Sequence, residues 1–184
     1  FKYSLNELHK LSENDLNFLR NHYLEILKKN SVKKSAQTLR DKFPFQTVCL
    51  PLINLLFPDS KIIFTHRNTY DTVLSCFQQA FEPNNAMANF RSIESASKIY
   101  DLTMSVWLDY KEKLKMNYIT SKYEDLIEDF DNHILKILNF LDVSWDENIK
   151  NYRNTAHKRG KINTPSSSQV VQPLYKSSID KWKN

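Results

Sequence analysis

The sequence predicts an α/β domain, and three observations carry that expectation. Residues 61–65, Lys-Ile-Ile-Phe-Thr, form a short apolar run behind a Pro-Asp-Ser turn, which reads as a strand buried on both faces. Residues 117–121 are a second short strand candidate. Between them lie a helix just past Arg67 and a long amphipathic stripe over residues 92–114, carried by Ile93, Ala96, Ile99, Tyr100, Met104, Trp107 and Leu108. Strands alternating with amphipathic helices form layers.

Taken in order, residues 1–29 are helical in pattern. Leu5, Leu8 and Leu11 mark a first segment; Leu16, Leu19, Tyr23, Ile26 and Leu27 mark a second, with Ser12 as its cap and Asp15 at the third helical position. Residues 30–36 are basic and polar, a loop, and residues 38–40 are a weakly patterned third strand candidate. Residues 47–56 read as a helix whose Pro51 implies a kink or a later start. Residues 82–90 are Asn-rich and read as an irregular surface loop. Residues 133–141 form a further helix with Ile134, Leu135, Ile137, Leu138 and Phe140 inward. Residues 148–154 continue as helix, and the Ser-rich stretch 164–175 reads by composition as a flexible loop.

The chemistry gathers around residues 57–75. Arg67 leaves the end of the first strand, Asn68 or Thr69 caps the next helix, and Asp71 sits in its first turn. Free N–H groups and the helix dipole then point where Arg67 points, which makes an anion site. Ser75 lies two turns further on. By themselves these are an Arg at a strand end and a helix Ser facing solvent, so the weight rests on spacing and order.

Composition narrows the class. A chain of 184 residues, 41% hydrophobic and 12% aromatic, suffices for one ordinary core. A net charge of +5 with pI near 9.1 suits an anionic ligand, while the scattered Lys residues argue against a nucleic-acid stripe. Cys49 and Cys76 both fall in apolar helical patterns, so both are expected in the core. They give no metal or disulfide spacing and point to a reducing, cytoplasmic compartment. No metal is expected, and no apolar run reaches the roughly 20 residues that span a bilayer. Gly160 is the single glycine, so no glycine-rich phosphate loop lies in these residues.

Phe-Pro-x-x-Lys-Ile-Ile closing on Arg67, with Asp four and Ser eight residues beyond it, resembles the sulfotransferases that use the sulfate donor PAPS (3′-phosphoadenosine 5′-phosphosulfate). That resemblance gives Arg67 and Ser75 the donor's 3′-phosphate. Asp41-Lys42-x-Pro is similar to an active-site segment of tyrosylprotein and bacterial sulfotransferases, and implies that Lys42 donates to the oxygen bridging phosphate and sulfate. Gln46 stands where bacterial relatives usually carry Asn. Tyr123-Glu124-Asp125-Leu126 resembles the family segment whose Tyr lies beside the donor nucleotide, with Glu124 read as structural; Asp142-Val143-Ser144-Trp145 is similar to the family's turn after the next helix, with Asp142 where Gly is usual, which implies a left-handed residue there. The stretch from Thr164 to Tyr175, followed by Lys181-Trp182, resembles the family's lid; it implies Ser166 and Lys181 at the 3′-phosphate, with Val171 where many relatives have Arg.

The resemblance covers about residues 40–182. It implies a three-layer, P-loop nucleotide-kinase-like parallel sheet flanked by helices, and one partial sulfotransferase domain over residues 1–184 with no second domain. The first strand, the phosphosulfate loop and the general base are expected upstream of Phe1, so the 184 residues alone are expected to turn over little. His66 is a weaker candidate base, a strand-end contact being its commoner use. The implied reaction moves a sulfuryl group from PAPS to a hydroxyl or amine of a protein, carbohydrate or small molecule, leaving PAP. The alternative is a non-catalytic nucleotide-binding or helical interaction module. A kinase needs a Walker-type loop with a magnesium site. Acceptor and oligomeric state stay open.

Overall fold

The structure, a computed structural model, describes residues 5–30, 38–79, 81–82, 84–158, 172 and 174–183. The chain divides into two compact units, one formed by Phe1–Ser60 and Leu102–Asn117, the other by Lys61–Asp101 and Tyr118–Asn184.

The first unit opens with a 3-10 helix, Leu5–Lys10, and helix α1, Glu13–Asn30. Ser12 caps α1 as expected: the Asp15 N–H donates to Ser12 Oγ at 3.2 Å and the Ser12 N–H to Asp15 Oδ2 at 3.0 Å, a reciprocal pair that satisfies two otherwise orphan donors. Helix α2 is Leu50–Leu56, preceded by a 3-10 helix at Gln46–Cys49. The expected helix over residues 47–56 therefore begins its α form at Leu50. Pro51, which lacks an N–H, is tolerated only in that first turn. Arg20 Nε donates to the Leu56 carbonyl at 2.7 Å, satisfying a C-terminal acceptor of α2. Leu50, Leu56 and Trp107 are buried here.

Two expectations fail in this unit. Residues 38–40 are irregular rather than a strand, and among the described residues no neighbouring strand offers them a ladder. Cys49, expected in the core, is exposed, because the 3-10 turn leaves Leu50 to carry the burial. Cys76 is half-buried.

The second unit holds strand β1, Lys61–His66, paired with strand β2, Asn117–Lys122, of which Tyr118 onwards belongs to it. Helices α3, Thr69–Gln78, and α4, Ile93–Lys113, connect the strands, and the residues of α4 from Leu102 onwards fall in the first unit. Helix α5, Tyr123–Glu128, follows β2 directly; α6, Phe130–Leu141, and α7, Tyr152–Lys158, come after it. The result is a small parallel sheet among helices, an α/β arrangement. Strand β1 was expected to be buried on both faces, yet none of its residues is fully buried and Ile63 is 36% exposed, since a sheet of two strands offers its faces little cover. The α4 stripe is likewise only partly core: Ala96 and Trp107 are buried, whereas Ile93 and Leu108 are each 51% exposed.

Helix α6 starts three residues earlier than expected because the Asp129 side chain accepts the Asn132 N–H. It ends as expected at a left-handed Asp142, φ 57°. The Asp142 and Val143 N–H groups return to the Asn139 and Leu138 carbonyls, closing the last turn. Among the described residues no helix is long and apolar enough to cross a membrane.

Candidate functional site

Arg67 follows β1 and Tyr123 follows β2, so both stand at the carboxyl ends of paired strands, where open α/β sheets gather their ligands. Asn68 caps α3, its side-chain oxygen accepting the Tyr70 N–H at 3.0 Å and the Asp71 N–H at 3.2 Å. Its own N–H donates to Glu124 Oε1 at 2.8 Å, which ties the turn carrying Arg67 to the first turn of α5. Glu124 is thus a structural clamp, as read from the sequence. The Arg67 guanidinium carbon lies 5.4 Å from the centre of the Tyr123 ring, a cation–π contact.

Residues 174–183 form a strap bound to the same place. The Tyr123 hydroxyl donates to the Tyr175 carbonyl at 3.1 Å and accepts from Ser178 Oγ at 3.0 Å. Arg67 donates to the Ser178 carbonyl. Asp71, 1% exposed, accepts the Asp180 N–H at 2.8 Å and the Trp182 N–H at 3.1 Å, while its other neighbour, the Arg67 guanidinium, stands 3.9 Å away. Trp182 packs at a tilt against Tyr70, ring centres 4.6 Å apart. Lys181 Nζ donates to Gln78 Oε1 at 3.0 Å. Arg67 Nε is buried and has no hydrogen-bond partner among the described residues, so the guanidinium keeps an unmatched donor. Burial pushes the Cys76 thiol up, and the nearby Arg67 charge draws it partly back.

Ser75 is exposed, and its hydroxyl has no partner among the described residues. It lies one turn beyond Asp71, and Gln78 lies three residues beyond Ser75, so the three share a stripe of α3. Lys181, bonded to Gln78, therefore reaches the helix face that carries Ser75. Arg67 and Tyr123 are thus in contact, while Ser75 and the Lys181–Gln78 bond lie further along α3. Ser166, with most of the Ser-rich stretch, lies outside the described residues.

Lys42 belongs to the first unit and is exposed. Its loop is braced on one carboxylate: Asp41 Oδ2 accepts the Tyr23 hydroxyl at 2.5 Å and the Gln46 amide at 2.9 Å, while Gln46 Oε1 accepts the Phe43 N–H at 3.2 Å. Phe45 completes the turn with φ 62°. Burial first, and then Asp41, pushes the Tyr23 phenol far above its ordinary range, so it acts only as a donor here. The Gln46 amide is engaged inside the loop. The His66 ring rests 6.1 Å from that of Phe64, a contact along the strand.

Sequence reasoning missed the two backbone bonds of Asp71 and the role of Ser178. The Arg-x-x-x-Asp spacing was visible, but an acid in a first helical turn reads as a dipole partner until the distant strap is in place. Beyond the end of α3, the stretch read as an irregular loop contains a 3-10 turn, Met87–Phe90, and a cavity of about 270 Å³ lined by Phe77, Phe81, Phe90 and Arg91 among others. Among the described residues no group of three or more His, Cys, Asp or Glu could hold a metal ion.

Residues 5–147 match the sulfotransferase family, and the chain belongs to it. It is similar to an uncharacterized protein of Aquifex aeolicus (strain VF5), 29% identical over 148 residues that cover 78% of this chain and 18% of that protein. It is also similar to protein-tyrosine sulfotransferase A of Caenorhabditis elegans, 24% identical over 151 residues that cover 80% of this chain and 39% of that one. The chain thus spans less than two fifths of the length of either relative.

Proposed function

We propose that this protein is a PAPS-dependent sulfotransferase whose residues 1–184 form part of one catalytic domain with a nucleotide-kinase-like layout. The observation that carries this reading is the half-buried Arg67 at the end of β1, whose buried Nε donor is unmatched and whose guanidinium lies over the Tyr123 ring, with Ser75 and the Lys181–Gln78 bond on the helix that follows. A guanidinium with a spare donor fits a phosphate, which takes charge-assisted, geometrically fixed bonds from Arg. Arg67 and Ser75 hold the donor's 3′-phosphate, Lys181 and Ser166 approach it, and Tyr123 lies beside the nucleotide. The donor supplies an activated sulfuryl group on a phosphate leaving group.

Lys42 supplies the cation. As sulfur passes to the acceptor, negative charge grows on the oxygen that bridged phosphate and sulfate, and a fixed ammonium stabilises that later charge more than the earlier one. The Asp41–Tyr23–Gln46 brace holds the Lys42 backbone while leaving its side chain in solvent. The acceptor is a hydroxyl or amine, and the tyrosine sulfotransferase among the relatives favours a protein hydroxyl. No metal takes part in this scheme.

A second reading draws on Gly160 being the sole glycine: residues 1–184 hold no glycine-rich loop for the 5′-phosphosulfate, so by themselves they are a nucleotide-binding module with little turnover. Labelled PAPS offered to the whole protein with tyrosine peptides, oligosaccharides and simple phenols separates the two. Transfer to any acceptor, abolished in Lys42→Ala, supports catalysis. PAP binding without transfer supports the module.

A further inference from the structure

We infer that Asp71 is a positioning residue of the donor site: its buried carboxylate holds the strap of residues 174–183 in the register that sets Ser178 against Arg67 and Lys181 against Gln78. This rests on the donor reading above. A carboxylate at 1% exposure is costly unless its oxygens are bonded, and both are engaged by strap N–H groups, from Asp180 at 2.8 Å and Trp182 at 3.1 Å. Arg67, at 3.9 Å, is too far to be its hydrogen-bond partner. The bonding of Asp71 is therefore directed to the strap first.

The strap is shaped for that anion. Asp180 takes φ 58°, a left-handed conformation that costs a non-glycine residue energy, and the turn brings two N–H groups two residues apart onto the two oxygens of a single carboxylate. Lys181, the residue between them, is thereby thrown outwards to Gln78, on the stripe of Ser75. Just before the turn, the Ser178 carbonyl accepts from Arg67 and the Ser178 hydroxyl donates to Tyr123. One carboxylate thus fixes the only described backbone that touches both Arg67 and Tyr123. Loosening the strap should cost 3′-phosphate recognition and spare the rest of the nucleotide.

The test uses Asp71→Asn in the whole protein. An amide presents an acceptor to one strap N–H and a donor to the other, so one bond is lost at nearly constant shape. Amide exchange, read without ligand, is expected to quicken about tenfold or more at Asp180 and Trp182, the scale of one lost hydrogen bond. Calorimetry is expected to show PAP binding weakened about tenfold and AMP binding, which lacks the 3′-phosphate, unchanged. Trp182→Ala keeps the N–H while removing the ring contact with Tyr70, and Asp180→Gly relieves the left-handed backbone; PAP affinity should track strap exchange across all three, falling in the first two and holding in the third. This series decides the matter if Asp71→Asn does not fold. Unchanged strap exchange in Asp71→Asn overturns the inference, and so does PAP affinity that ignores a loosened strap. Should Arg67→Ala leave PAP binding intact, the donor reading fails instead, and Asp71 as strap anchor stands or falls on the exchange data alone.

Discussion

Replacing Glu124 tests how the site is built. Its Oε1 accepts the Asn68 N–H at 2.8 Å, and that bond joins the β1–α3 turn to the first turn of α5. Glu124→Ala removes the acceptor and leaves a part-buried backbone donor unmatched, a loss of about 1–3 kcal/mol. Glu124→Gln keeps an oxygen acceptor and removes only the charge. Its second oxygen is buried without a partner among the described residues, so relief of that desolvated charge offsets part of the weaker bond. For a protein of this size each kcal/mol moves the melting temperature by about 2–4 °C. Glu124→Ala should therefore melt about 4–8 °C below the parent, taking about 2 kcal/mol as the central cost, and Glu124→Gln within about 2 °C of it. Scanning calorimetry with amide exchange at Asn68 reads both. Equal melting temperatures for Ala and Gln, or an Asn68 amide equally protected in both, would refute the clamp.

Other substitutions separate chemistry from scaffold. Lys42→Ala should lower kcat by about 100-fold or more, the scale of removing one transition-state donor, with PAP affinity nearly unchanged because the side chain is exposed in the free protein. Cys49, exposed, should be alkylated by iodoacetamide well before Cys76, whose burial-raised thiol holds less thiolate at neutral pH; the gap should narrow as pH rises and Cys76 ionises, and mass spectrometry reads the order. Asp142→Val should cost about 1–2 kcal/mol in denaturant unfolding, because φ 57° is poorly accessible to a β-branched residue.

Local rules were legible in the sequence. Ser12 and Asp15 announced a capping box, and Asn68 or Thr69 a helix cap, which Asn68 supplies; each is decided within a few residues. Pro51 implied a kink or a later helix start, and the later start is the one found. What failed was burial: Cys49, Ile63, Ile93 and Leu108 sit in apolar patterns yet face outwards, because periodicity names a face without naming what covers it. The site divided along the same line. Arg67, Ser75 and Tyr123 were candidates because short segments around them resemble family motifs. Asp71 needed a partner more than a hundred residues away, and the Asp41–Tyr23 brace needed α1 folded back on the Lys42 loop.

The most direct measurement is the affinity of the whole protein for PAP against AMP, two ligands that differ only by the 3′-phosphate. If Arg67 and Ser75 grip that group, charge-assisted bonds make PAP the tighter ligand by about tenfold at least, and Arg67→Ala brings the two together. Equal affinities in the unaltered protein would contradict the account.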